Sequence, residues 1–299
     1  MRQITIVGTG LIGGSLALAL KQHGFSGRVV GCDRPGVLEE ASRRGAIDGG
    51  ATEPAQSIAG SDVIVLATPV GSIIDLIERL GPVAAPHAVL TDVGSTKCEV
   101  LERAKAVFGA AAARRFLAGH PMAGKESGGI EMADPELFHG AVWLVTPLEG
   151  QAIGKPEPHR PAVPASPEKP AGSGLIEEYL GWIQGIGSRV VTMDAQRHDR
   201  LCAWISHLPQ MLSTALAATL QDEFGDDPEL HAIGGRALRE MTRLGTSPYS
   251  MWRDIALTNT GNIQEALLRL EQRLAHLREN LRTRELEEEF AQARKFKKN

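Results

Sequence analysis

Cysteine is scarce in this chain. Its 299 residues hold three, Cys32, Cys98 and Cys202, scattered without metal-binding or redox spacing. That usage argues against a disulfide framework and fits a reducing compartment, and no metal site is expected. Long apolar runs are missing too: none approaches the ~20 residues that a membrane-spanning helix needs. Met1-Arg-Gln passes straight into the apolar stretch 4–7, so no signal peptide is expected. Nor is there an excess of positive charge, since 32 Lys and Arg stand against 36 Asp and Glu, a net charge of −4. A field of that sign draws in neither nucleic acid nor an anionic membrane. An acidic substrate must then be gripped by a few local cations. The expectation is a cytoplasmic protein with no nucleic-acid or membrane partner.

What is present is length enough for two buried cores and the apolar residues to fill them. In the first ninety residues, β-branched runs at 4–7, Arg28–Cys32, 63–67 and 88–90 alternate with helical spacing at 11–23, 37–44 and 73–80. Such alternation predicts a mostly parallel sheet covered on both faces. Later strands are expected at 116–118, 142–145 and Arg189–Thr192. The stretch 151–174 interrupts the pattern with prolines at 156, 158, 161, 164, 167 and 170. It cannot build a core and reads as an exposed insertion.

From about Ala195 long helices take over, the first at 197–220, with a kink expected at Pro209. Ile263, Leu267, Leu270, Leu274, Leu277 and Leu281 form an a/d stripe that asks for another helix, from this chain or a second subunit. The expected fold is therefore α/β, a Rossmann-type doubly wound sheet over 1–194 followed by an all-helical domain over 195–299. The helical half is expected to carry substrate contacts and a homodimer interface.

Gly8-Thr9-Gly10-Leu11-Ile12-Gly13-Gly14-Ser15 follows the first strand and opens a helix. Gly8 suits the tight turn, Gly10 a close approach of pyrophosphate, and Gly13 close helix–strand contact, while the helix N-terminus with Leu11 and Ile12 meets the phosphates. Asp33 closes the second strand, where a carboxylate accepts bonds from ribose hydroxyls and repels a 2′-phosphate. NAD is the expected cofactor. Arg34 beside it could pair with such a phosphate and leaves NADP as the alternative.

Two further segments carry residue types suited to chemistry. The fourth expected strand runs into Thr91-Asp92-Val93-Gly94-Ser95-Thr96-Lys97, on the side of the sheet that faces a ligand crevice. A glycine-rich stretch around His120, GHPMAGKESGG at 119–129, reads as a loop that holds a histidine within reach of ligand.

Together, 8–15, 91–97, 118–129, the SHLP segment at 206–209, Met241-Thr242-Arg243 and Met251-Trp252-Arg253-Asp254 resemble the prephenate and arogenate dehydrogenases across nearly the whole chain. The resemblance implies that His120 is the catalytic histidine, hydrogen-bonding the substrate's C4 hydroxyl, with Ser95 as its partner. It implies that Arg243 grips a substrate carboxylate, that Trp252 lines the helical side, and that Glu126 gates the mouth. Thr68 and Pro69 would close over the nicotinamide, and His207 and Gln210 would meet the substrate. Gln210 stands where several relatives carry a second histidine. A neutral amide there can donate to prephenate's keto-acid side chain, which favours prephenate over arogenate. Two other readings are another two-domain enzyme, such as a 3-hydroxy-acid dehydrogenase or imine reductase, and a non-catalytic NAD-binding sensor or scaffold. The first relies on a catalytic lysine in its helical domain; the second needs neither His120, Ser95 nor Arg243.

Overall fold

The computed structural model describes residues 1–125, 127–151, 153 and 173–297. Glu126 and nearly all of the proline-rich insertion lie outside them. The first half runs β1 (Gln3–Val7), α1 (Leu11–Gln22), β2 (Arg28–Cys32), α2 (Pro35–Arg43), β3 (Gly49–Ala51), α3 (Pro54–Ser57), β4 (Val63–Leu66) and α4 (Val70–Leu80). It continues β5 (Val89–Asp92), α5 (Cys98–Phe108), α6 (Ala112–Arg115), β6 (Phe116–Pro121), β7 (Val142–Thr146), α7 (Ser173–Gly185) and β8 (Arg189–Thr192).

These strands form one sheet in the order β3-β2-β1-β4-β5-β6-β7-β8. All neighbours are parallel except β6 and β7. The strand order reverses between β1 and β4, which opens a crevice at the carboxyl ends of the strands. Side chains alternate across the sheet, so both faces are apolar. Ile4, Ile6, Val63 and Val65 pack with Leu16, Leu20 and Ile183 on one face, and Val7, Ile64 and Leu66 pack with Ile73, Ile77 and Val100 on the other. Each such fully buried side chain contributes about 1.5–3 kcal/mol.

The second half is helical: α8 (Ala195–Cys202), α9 (Leu208–Phe224), α10 (Pro228–Ile233), α11 (Arg236–Thr242), α12 (Tyr249–Thr258), α13 (Thr260–Glu279) and α14 (Glu285–Lys297). The single long helix expected at 197–220 is in fact two, joined by a π turn at Ala203–His207. Pro209 follows that turn at the start of α9 and has no N–H to give its carbonyls, so the kink expected at Pro209 takes the form of the π turn just before it. Among the described residues no helix is long and apolar enough to cross a membrane.

The helical half has a small buried core, Ala203, Ile255 and Ile263 with Met211 and Trp252 against it. Much of its apolar surface stays outside. Of the a/d stripe only Ile263 is buried, while Leu274 is 51% and Leu281 63% exposed.

Polar ties dock the helices on the sheet half, three of them around the starts of α4 and α5. Asp254 Oδ2 accepts from Gly71 N at the start of α4 (3.0 Å), Thr96 and Thr258 share a hydroxyl bond (2.7 Å), and Asp199 accepts two N–H groups at the start of α5.

Candidate active site

The glycine turn is shaped by what a side chain would strike. Gly8 has φ +95°, and a Cβ there would lie 2.4 Å from Ala67 O. A Cβ on Gly13 would lie 2.0 Å from Gly8 O, so α1 sits on the turn only with glycine. At Gly10, by contrast, nothing stands within 4 Å of that position. A ligand's phosphates can therefore approach the free N–H groups that open α1.

At the end of β2, Asp33 Oδ2 accepts from Thr9 N and Oδ1 from Arg34 N, both at 2.8 Å. Asp33, Arg34, Gly8 and Thr68 line a cavity of about 340 Å³, whose far wall is Asp75 and Arg79 of α4. Pro69 caps α4 beside it.

On the other side of the turn lies a second cavity, of about 430 Å³. The sheet half lines it with Leu11, Ile12, Ser95, His120 and Lys125, and the helical half with Gln210, Arg243 and Trp252. Two cavities, one lined by Gly8 and the other by Leu11 and Ile12 of the same turn, fit the two ends of a dinucleotide.

His120 is not on a loop, as the glycines around it suggested. It lies within β6, paired with Leu144 of β7, and is 8% exposed. The antiparallel β7 supplies this pairing from more than twenty residues away, and the strand ends at Pro121. Burial above all, with His198, Lys97 and His207 nearby, holds the His120 imidazole well below its ordinary pKa, so it is a neutral base near pH 7.

Ser95 shares the cavity with His120 but makes no hydrogen bond to it; the ring is held instead from behind. His120 Nδ1 pairs with His198 Nε2 at 2.9 Å, and His198 Nδ1 with Asp199 Oδ1 at 2.8 Å. Asp199 accepts from Lys97 N at 2.7 Å and Cys98 N at 2.9 Å. Burial works against its charge, but the bonds from His198 and these N–H groups outweigh it, and its carboxyl lies below the usual range.

A second buried clamp sets the strand ends. Lys97 Nζ pairs with Asp92 Oδ2 and donates to Gly119 O (2.8 Å), while Asp92 accepts from Gly94 N (2.8 Å) and Gly119 N (3.2 Å). Both side chains are fully buried.

Two of the expected substrate contacts sit differently. His207 is 1% exposed and stacks edge-on behind Trp252, with Nδ1 beside Asn259 Nδ2 at 3.2 Å. It supports the cavity wall without lining it. Gln210 does line the cavity, but its Nε2 is committed to Leu244 O (2.7 Å) and Thr214 Oγ1 (3.2 Å). Both donors are taken, which removes the expected donation to a keto-acid side chain. The amide offers a ligand its oxygen, an acceptor.

Sequence reasoning missed His198, Asp199 and Lys125. His198 and Cys202 lie four apart on α8 and so share a face. Among the described residues, the His120 and His198 nitrogens and the Cys202 sulfur are the one potential metal-ligand set, all within 4.8 Å. Cysteine spacing alone could not reveal it. The nitrogen pair in that set is at hydrogen-bond distance.

Residues 16–154 match the model of the prephenate dehydrogenase nucleotide-binding domain, and 194–296 that of the prephenate dehydrogenase dimerization domain. The chain is 30% identical to prephenate dehydrogenase of Bacillus subtilis (strain 168) over 265 residues, 87% of this chain and 65% of that protein. The chain thus spans about 65% of the length of that relative and of the Lactococcus lactis prephenate dehydrogenase it also matches. Among solved structures it is similar to prephenate dehydrogenase from A. aeolicus in complex with hydroxyphenyl propionate and NAD+. The TM-score there is 0.83 at 29% identity, covering 100% of this chain and 96% of that one. It is also similar to Synechocystis arogenate dehydrogenase, with TM-score 0.73, 26% identity and 99% of each chain covered.

Proposed function

This chain belongs to the prephenate dehydrogenase family, and from that premise we propose that it oxidatively decarboxylates prephenate, or the related arogenate, with NAD as its cofactor in the cytoplasm. One observation carries the reading: a single cavity beside the glycine turn gathers His120 and Ser95 from the sheet and Arg243, Gln210 and Trp252 from the helices. Residues 1–194 then serve as the cofactor domain and 195–299 as the substrate and dimerisation domain.

Bound NAD supplies a nicotinamide that accepts hydride from C4 of the ring. His120 Nε2 accepts the C4 hydroxyl's proton as the C–H bond breaks, a contribution of about 10²–10⁴-fold for positioned proton transfer. Ser95 holds the same hydroxyl. Arg243 presents a planar fork to one carboxylate, and Lys125 adds a second cation to the wall. Departure of CO2 leaves an aromatic ring, so that half of the reaction runs downhill. Asp33 meets the ribose, which favours NAD, while Arg34 and Arg79 are the residues that would tolerate a 2′-phosphate.

A second reading concerns the side chain of the substrate. Because Gln210 presents its oxygen, it suits the ammonium of arogenate. A further copy of the chain fits the exposed stripe on α13, where a groove of about 610 Å³ is lined by Trp204, Leu208, Leu270 and Arg273. A homodimer through these helices covers it.

Cofactor reduction with prephenate and with arogenate, each with NAD and NADP, tests the reading. Turnover with NAD and at least one of the two acids is expected. Cofactor binding with no turnover on either acid would overturn it and leave the other two-domain dehydrogenase or imine reductase and the sensor.

A further inference from the structure

We infer that His198 and Asp199 form a proton relay behind His120, fixing its tautomer and taking up the charge it acquires from the substrate hydroxyl. This rests on the proposed base role of His120.

The direction of every hydrogen bond in the chain follows from one end. An ionised carboxylate only accepts. Asp199 Oδ1 faces His198 Nδ1 at 2.8 Å, so that nitrogen carries the proton. A neutral imidazole has one N–H, which makes His198 Nε2 an acceptor. His120 Nδ1, 2.9 Å away, must then donate, and His120 Nε2 is left with its lone pair for the cavity. The resting state is thus a base already aimed at the substrate.

The inner end is built to hold charge. The Asp199 carboxylate sits on the first N–H groups of α5, at the positive end of that helix's dipole. His198 is 0% and Asp199 1% exposed, so no solvent reaches this end of the chain. Cys202 Sγ, 3.6 Å from His198 Nε2, closes the remaining side.

The charged groups around the two rings differ. Among the described residues His120 faces Lys97 and His207 as well as His198 and touches no carboxylate, whereas His198 touches Asp199. A positive charge is better placed on the inner ring.

During reaction the O–H bond at C4 breaks and a new N–H forms at His120 Nε2, while the C4–H electron pair leaves as hydride. The proton on His120 Nδ1 then passes to His198 Nε2. His198 ends with two protons beside the Asp199 carboxylate, and His120 is neutral again with its proton on Nε2. As CO2 leaves, the electron pair of its bond makes the ring a phenolate, which takes the proton back from His120 Nε2 while His198 Nε2 returns its proton to His120 Nδ1. The product leaves as a phenol and the start is restored. His198 acts through His120 and is a positioning residue.

His198→Gln is the informative variant, because its amide oxygen can still accept from His120 Nδ1 but cannot take a proton. The relay predicts kcat lower by roughly 10²-fold with KM within twofold of wild type. It also predicts that the acid limb of the kcat/KM profile moves to lower pH by a unit or more, since the protonated pair has lost its carboxylate-backed member. A kcat within threefold of wild type with an unmoved limb overturns it. Should that variant not fold, long-range proton–nitrogen spectra of imidazole-labelled wild-type protein decide. Nδ1–H tautomers on both rings are expected; an Nε2–H tautomer on His120 in the resting enzyme sinks the proposal. His120→Asn separates the two ideas. Wild-type turnover there removes the base reading itself, whereas heavy loss there with a silent His198→Gln removes the relay alone.

Discussion

Lys97→Met strips one member from the buried Asp92–Lys97 pair while keeping the side chain's length. Both partners are at 0% side-chain exposure, so the carboxylate left behind has no solvent to turn to. Removing one member of a buried pair costs about 3–5 kcal/mol, mostly the penalty of the stranded charge. Asp92 keeps its bonds from Gly94 N and Gly119 N, which places the expected loss at the low end, about 3 kcal/mol. At roughly 2–4 °C per kcal/mol for a domain of this size, Tm falls by about 6–12 °C. Turnover falls as well, because Gly119 O loses its Lys97 donor one residue before His120. The assay is urea unfolding at one fixed protein concentration, since an associating chain has a concentration-dependent midpoint. Asp92→Asn with Lys97→Met should recover part of the loss, as no charge is then stranded. A single-variant loss under about 1 kcal/mol, or a double variant no better than Lys97→Met, would refute the reasoning.

Other outcomes follow from the same structure. Gly13→Ala forces a Cβ to 2.0 Å from Gly8 O, so the turn must move and NAD affinity, read by calorimetry, should drop at least tenfold; unchanged affinity would contradict the steric argument. His207 is pushed down to about 4 from 6.5, by burial first and His198 next, against the pull of Asp199. The unfolded chain therefore binds a proton that the folded one refuses. Between pH 6.5 and about 4 acidification should remove up to about 3 kcal/mol of stability through His207, a share lost from the pH dependence in His207→Asn while that of the buried His120 stays. Leu274→Asp on the exposed face of α13 should shift the protein toward monomer in sedimentation experiments, with the sheet half still folded by circular dichroism.

The parts of the fold readable from sequence are those whose cause is local. The strand–glycine–helix turn at Gly8, Gly10 and Gly13 is a steric statement about neighbouring residues, and the a/d stripe on α13 is a periodicity. Strand β3 was invisible because Gly49-Gly50-Ala51 has almost no side chain to betray it; pairing with β2 makes it. His120 was misplaced for a related reason. Its glycine-rich surroundings read as loop, and only the distant β7 turns that stretch into a buried strand. His198 and Asp199 were passed over because their partners, His120 and the start of α5, lie 78 and 101–102 positions earlier in the chain. A histidine and an acid side by side on a short polar helix, with Cys202 four residues past the histidine and so on its face, was the signal to follow. Gln210 shows the limit of reasoning by residue type: its amide could donate or accept, and only the carbonyl of Leu244 decides which.

The central claim is that His120 takes the hydroxyl proton while hydride leaves the same carbon. Prephenate deuterated at C4, turned over by wild type and by His120→Asn with NAD, tests it most directly. Deuterium is expected in the reduced nicotinamide of both, with turnover in the variant lower by about 10²–10⁴-fold at nearly constant KM. Wild-type turnover in His120→Asn, or reduced nicotinamide without the label, would contradict it.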